Sequence, residues 1–263
     1  MNGEYAVVLG CSTGVGARIA VELAEAGYRI IGFHRGRHQE EADAVTQEID
    51  RMGRWAAFHV MDVGSSYQQV QNGVALVEAL TEPESIRILV HSLSGASTGD
   101  ACTLPPEKVE KTFNVLAHSF LWWIQGLVTK TDRFKYDMRI LALSNPNVSF
   151  YLEGSGVIGP AKAALEGYVR ILAAEWGAIG KINALRFGAV LTPALETTIG
   201  KEAVENLRNV HKRLMPESVM LTAENVAQFA RTLLTDKNSR MTGAVVDYTC
   251  GSVGNLMNYA LKG

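Results

Sequence analysis

Short, largely apolar runs alternate along this chain with longer stretches whose apolar residues recur every three or four places. The runs are Ala6–Leu9, Arg29–Phe33, Ala56–Val60, Ile86–Val90, Arg139–Leu143, Lys181–Arg186 and Ala244–Tyr248. They are too short for helices and too continuously apolar for one-sided strands, so they read as strands buried in a parallel sheet. The stretches between them, Gly14–Ala26, Asp43–Met52, Gln68–Leu80, Pro106–Leu127, Ala161–Trp176 and Ala223–Leu234, read as helices. The first carries Ile19, Leu23 and Ala26 along one face and closes on Gly27, a helix-stop residue. Pro106–Leu127 is long enough to predict a break near its middle, and residues 193–215 read as a helical insertion. Strict alternation of strand and helix predicts one doubly wound α/β domain over residues 1–263, with a parallel sheet of about seven strands. Such sheets bind ligands at the carboxyl ends of their strands. Chemistry is therefore expected at Gly10–Gly16, His34–Arg37, Asp62, Ser92–Gly95, Ser144 and Gly188–Thr192.

Composition narrows the function without naming it. The chain has 263 residues, 47% apolar and 20% charged, enough for one well-buried domain and too few for two comfortable ones. A net charge of −2 gives no electrostatic case for nucleic acid. No apolar run approaches the roughly 18 residues that span a bilayer. Met1-Asn-Gly-Glu-Tyr5 leads into the first strand without a basic-then-apolar leader. Cys11, Cys102 and Cys250 are spaced for neither a disulfide framework nor a zinc site, so no metal and a reducing cytoplasm are expected.

Gly10-Cys-Ser12-Thr13-Gly14-Val15-Gly16 follows the first strand and opens the first helix. Glycines here let the backbone turn tightly and bring its N–H groups to a pyrophosphate at the positive end of a helix. The placement at the first strand-to-helix turn makes this a Rossmann-type dinucleotide site. A carboxylate after the second strand would bind the ribose 2′-hydroxyl of NAD. Phe33-His34-Arg35-Gly36-Arg37 offers no acid and two guanidiniums, which suit a 2′-phosphate. NADPH is expected ahead of NADH, although Glu40 and Glu41 lie near enough to offset the arginines and Thr13 is not basic.

The Gly-x3-Gly-x-Gly spacing, with motifs spread over nearly the whole chain, resembles the short-chain dehydrogenase/reductase family. The resemblance implies adenine contacts at Asp62-Val63. It places His91-Ser92-Leu93-Ser94-Gly95 where the family has Asn-Asn-Ala-Gly, and makes Asn114 the asparagine that supports the active site. Asn183-Ala-Leu-Arg-Phe187-Gly188-Ala-Val190-Leu-Thr192-Pro193 resembles the segment that holds the nicotinamide carboxamide, with Phe187 in place of the usual proline. Thr242–Gly251 resembles the closing strand. Lys162 is the family lysine that grips the nicotinamide ribose, and Ser144 the serine that orients a carbonyl, with Asn145 a neighbouring candidate.

The family tyrosine is missing. Ile158 stands four places before Lys162, and an isoleucine neither donates nor accepts a proton. Enoyl-acyl-carrier-protein reductases use Tyr-x6-Lys, but Ser155 holds that place here. The run Ile140–Ser144, then Tyr151-Leu-Glu and Gly159-Pro-Ala-Lys162-Ala-Ala-Leu-Glu166, still resembles that branch. Tyr151-Leu-Glu-Gly-Ser-Gly156 and Leu172-Ala-Ala-Glu-Trp-Gly177 are similar to segments of 2,4-dienoyl-CoA reductases, with a shorter spacing between tyrosine and lysine. Glycines 154, 156 and 159 argue against helix before Pro160, which leaves Tyr151 on a loop. Tyr151 and Ser155 are the candidate replacements for the missing phenol.

Enoyl reduction tolerates this change better than ketone reduction. Hydride addition to the β-carbon collects charge on a thioester oxygen as an enolate, which needs hydrogen-bond donors, while the α-carbon proton can come from water. The expected function is NADPH-dependent reduction of an enoyl thioester. A carbonyl or alcohol oxidoreductase with a relocated donor, and a family member that binds NADP(H) without chemistry, are the alternatives. Residues 193–215 are a candidate substrate lid, with Lys201, Arg208, His211, Lys212 and Arg213 available to the phosphates of CoA or to an acidic acyl carrier protein. Relatives form tetramers or dimers, so a homo-oligomer is expected.

Overall fold

Seven parallel strands in the order β3-β2-β1-β4-β5-β6-β7 form the sheet of this computed structural model, which describes residues 3–190, 201–214 and 220–249. They are β1 (Tyr5–Leu9), β2 (Arg29–His34), β3 (Ala56–Val60), β4 (Ile86–His91), β5 (Phe134–Ser144), β6 (Gly180–Phe187) and β7 (Val245–Tyr248). The helices are α1 (Gly14–Glu25), α2 (Gln39–Arg51), α3 (Tyr67–Leu80), α4 (Pro106–Phe113), α5 (Ser119–Lys130), α6 (Ile158–Trp176), α7 (Lys201–Leu214) and α8 (Ala223–Thr235).

The two-residue period of β1 divides the core. Tyr5, Val7 and Leu9 join Phe120, Trp123, Leu127, Leu165 and Val169 under α3, α5 and α6. Ala6 and Val8 join Ile19, Leu23, Val226 and Ala230 under α1 and α8. A sheet covered on both faces needs strands that are apolar on both, which is why the strand runs lack polar alternation. The order reverses at β1, which pairs with β2 on one side and β4 on the other. The crevice at their carboxyl ends therefore opens between the loops after β1, β2 and β4.

Several boundaries differ from the sequence expectation, three of them with a physical reason on view. The second helix begins at Gln39 rather than Asp43, in a polar turn whose Glu40 and Glu41 suit a helix amino end but carry no apolar period. Strand β5 begins at Phe134 rather than Arg139. Its extension holds Asp137 at φ 66°, tied by Arg87, which donates to the Tyr136 carbonyl at 2.9 Å and to Asp137 at 3.1 Å. Helix α6 begins at Ile158, with Pro160 inside its first turn, where a missing N–H costs nothing. The expected break in the long helix is a single π turn, Asn114–His118, between α4 and α5. In the 193–215 insertion, α7 covers Lys201–Leu214; 193–200 and 215 lie outside the described residues, as does Thr192. No helix among the described residues is long and apolar enough to cross a membrane.

Candidate active site

Gly10 turns the chain out of β1 at φ 87°. Its N–H and that of Cys11 both donate to the Phe33 carbonyl, at 2.8 and 3.2 Å, so the loop is pinned to the end of β2. Cys11 is fully buried, its thiol pushed up by burial, and serves as packing. A Cβ on Gly16 would lie 2.0 Å from the Gly10 carbonyl oxygen, and one on Gly10 would lie 2.5 Å from that of Ser92. The amino end of α1 thus sits against the loop with no side chain between. Thr13 makes no side-chain cap, and the first turn holds no acid. Ser12, Gly14 and Val15 complete this cradle, which suits the phosphates of a dinucleotide.

The loops after β2 and β4 close the other side. Arg35 donates to the Ser94 carbonyl at 3.2 Å, and its guanidinium lies against Gly95. Arg37 is exposed. His34 is buried and turned inward; its Nδ1 accepts from the Gly36 N–H at 3.3 Å, and burial lowers its pKa. It therefore supports the turn, while Arg35 and Arg37 remain as the charged pair. Glu41 is engaged with His38 at 3.3 Å. Asp62 follows β3, and Val63 is buried, its carbonyl accepting from Trp123 Nε1 at 3.0 Å. Ser92 donates its N–H to Leu9 at 2.9 Å, and Leu93 packs on both neighbouring cores.

Lys162 lies one turn into α6, 6% exposed, and donates from Nζ to the Leu143 carbonyl at 2.6 Å. Burial lowers its pKa from 10.5 to about 8, against the opposing pull of Glu166. Beside it, His91 is wholly buried. Ser119 Oγ donates to the Val115 carbonyl at 2.9 Å, so in its 2.8 Å contact with His91 Nε2 the serine oxygen accepts. His91 is held neutral, its pKa lowered to about 3 by burial and by the charge of Lys162. Asn114 opens the π turn on the helix facing α6.

Ile158 packs partly buried against the cluster of Val115, Leu116 and Ala161. Ser155 is buried, and its hydroxyl donates to the Leu152 carbonyl. Its loop is stitched to another: Gly99 N–H donates to Gly154 O at 2.8 Å and Gly156 N–H to Gly99 O at 3.2 Å. Tyr151 is 76% exposed on the same loop. Ser144, at the end of β5, donates to Glu166 Oε1 at 2.7 Å. Gly188 follows β6, and Val190 is buried in a bridge to Leu221.

The structure thus gathers Lys162 and Ser144 at the ends of β4–β6 and leaves Tyr151 at the surface. Sequence reasoning missed Glu166 and Arg186. Both had a signal: an acid on the same helix face as Lys162 and four places on, and an arginine inside a strand run.

A family model described as enoyl-(acyl carrier protein) reductase matches residues 10–252. The chain belongs to the short-chain dehydrogenase/reductase family. Among curated proteins it is similar to L-rhamnose 1-dehydrogenase (NADP(+)) of Thermoplasma acidophilum, 26% identical over 97% of this chain and 98% of that protein. It is also similar to the 3-oxoacyl-(acyl-carrier-protein) reductase FabG of Pseudomonas aeruginosa, 25% identical over 95% of this chain and 98% of that one. A short chain dehydrogenase from Burkholderia cenocepacia, solved in complex with NADP, shares the fold with a TM-score of 0.83 at 22% identity, covering 95% of this chain and 98% of that one. As a member of this family, the protein is an oxidoreductase.

Proposed function

We propose that this short-chain dehydrogenase/reductase uses NADPH to reduce a carbon–carbon double bond conjugated to an acyl thioester. One observation carries the reading. The place of the family phenol is taken by Ile158, packed against Val115, Leu116 and Ala161, so nothing there can protonate an alkoxide. Ketone reduction needs that proton, a positioned acid being worth about 10²- to 10⁴-fold. An enolate needs hydrogen bonds to its oxygen, and its α-carbon can take the balancing proton from water. The family model's description agrees with an enoyl substrate.

NADPH supplies the hydride when bound. The N–H groups of the Gly10–Gly16 loop and the amino end of α1 hold its pyrophosphate, Arg35 and Arg37 its 2′-phosphate, and Asp62 and Val63 border the adenine. Lys162 grips the ribose, and Gly188, Val190 and Thr192 hold the carboxamide. Tyr151 is the hydroxyl closing over the thioester oxygen, with Ser155 second. Asn114 supports Lys162 through the π turn. Helix α7 forms part of the lid, and its Lys201, Arg208 and Lys212 meet the phosphates of CoA or an acyl carrier protein. The protein acts in the cytoplasm as a homo-oligomer.

The carbonyl or alcohol reading is favoured by the chemistry that the rhamnose dehydrogenase and 3-oxoacyl reductase carry in their names. One assay separates the two. Purified protein is mixed with NADPH and enoyl-, dienoyl- or 3-oxoacyl-CoA, and the loss of absorbance at the reduced-nicotinamide band is followed. Oxidation with enoyl or dienoyl thioesters is expected; oxidation with 3-oxoacyl thioesters alone overturns the proposal. In the active case Tyr151→Phe lowers kcat at least tenfold, and an unchanged kcat removes Tyr151 from the mechanism.

A further inference from the structure

Glu166 is 1% exposed on a helix face it shares with Lys162 among small and apolar residues, a place where an unpaired carboxylate is very costly. Its partners explain it. Oε2 accepts from an Arg186 terminal nitrogen at 2.7 Å, and Oε1 from Arg186 Nε at 3.1 Å. Oε1 also accepts from Ser144 Oγ at 2.7 Å, and Arg170 adds a looser contact at 3.8 Å. The bidentate fork is the strong form of this pairing. Arg186 stands opposite Ser144 in the β5–β6 register and also reaches Ser149 Oγ at 3.5 Å and Asp247 at 3.8 Å. One ion pair therefore ties together the ends of β5 and β6, α6 and the loop after β5.

The direction of the Ser144 contact follows from the chemistry of its partner. A carboxylate paired to a guanidinium only accepts, so the hydrogen between Ser144 and Glu166 is the serine's. A hydroxyl has one hydrogen. We propose that Glu166, held in place by Arg186, is a positioning residue that takes up the Ser144 proton, so that Ser144 meets a ligand as a hydrogen-bond acceptor and not as the donor to a developing oxyanion. The ligand group that suits Ser144 is then an O–H, from a hydroxyacyl chain or a bound water. Charge arising on a substrate oxygen falls to hydroxyls outside β5. This reverses the expectation that Ser144 orients a carbonyl by donating to it. It rests on the Ser144–Glu166–Arg186 geometry and not on the thioester reading.

Neutron diffraction from the perdeuterated full-length protein with NADPH bound tests the proposal whatever the substrate. A deuteron on Ser144 Oγ directed at Glu166 supports it, and one directed elsewhere overturns it. A double-mutant cycle tests the role, using NADPH and trans-2-butenoyl-CoA or whichever acyl-CoA the substrate panel shows to turn over. In Glu166→Gln the amide nitrogen can donate to Ser144 and release its hydroxyl. Ser144→Ala is expected to lower kcat about threefold or less in the wild-type background. In the Glu166→Gln background, where the serine has become a donor, it is expected to lower kcat tenfold or more. If Glu166 only braces α6, its loss lowers the melting temperature and the effect of Ser144→Ala is the same in both backgrounds, which overturns the positioning role. A loss of a hundredfold in kcat for Ser144→Ala alone also overturns it.

Discussion

The ammonium of Lys162 donates to the carbonyl oxygen of Leu143 at 2.6 Å, one residue before Ser144. This bond pins the first turns of α6 to the carboxyl end of β5 and buries a charge where the sheet faces its ligand. Its partners sit on elements joined only by the fold.

That burial makes the stability of the protein depend on alkaline pH. Lys162 titrates near 8 in the folded chain against 10.5 as its ordinary value. Between those values the unfolded chain holds a proton that the folded chain has released, so stability rises as pH climbs from about 8 toward 10.5. Lys162→Met is expected to remove this rise and to stabilise the protein at pH 7, while lowering kcat a hundredfold or more. Urea unfolding at a series of pH values checks it. An unchanged pH slope in the variant assigns the effect to another group.

His91 works at the acid end. Its folded pKa of about 3 lies below the ordinary 6.5, so as pH falls through that window the unfolded chain gains a proton that the folded chain refuses. Stability contributed by the neutral ring is complete above pH 6.5 and is lost toward pH 3, by up to about 1.4 kcal/mol per pH unit. His91→Asn should flatten the loss between pH 6 and 4, measured by thermal unfolding. A variant that loses stability as steeply as wild type would show that carboxylates control acid unfolding.

Arg35 spans from the end of β2 to the Ser94 carbonyl, across the mouth where a 2′-phosphate would sit. Arg35→Ala is expected to weaken NADPH binding at least tenfold and NADH binding less than twofold, read by fluorescence titration at low and high salt. Equal weakening of both would make Arg35 a brace of the loop.

Ile158 can be replaced by the phenol it displaces. Ile158→Tyr restores the Tyr-x-x-x-Lys spacing in the first turn of α6, at a packing cost of about 1–3 kcal/mol against Val115, Leu116 and Ala161. The variant is expected to gain at least tenfold in NADPH-dependent reduction of a 3-oxoacyl thioester. No gain in a folded variant would mean that the ketone oxygen does not reach this helix turn.

What the sequence by itself determined is local. Strand identity followed from apolar runs because a doubly covered sheet requires them, and the cradle was legible in its glycines because the close backbone approach at Gly10 and Gly16 admits no side chain and Gly14 takes a positive φ. The absence of a phenol four places before Lys162 was equally plain. The tertiary structure decided what each polar group is bonded to. Ser144 and Glu166 are 22 residues apart, and Glu166 and Arg186 are 20 apart. No periodicity links such positions, so only the docking of α6 against β5 and β6 could commit the serine's proton. That docking also lowered the pKa of Lys162, while packing elsewhere in the fold turned His34 inward and left Tyr151 at the surface, since desolvation and pairing depend on neighbours brought together in space.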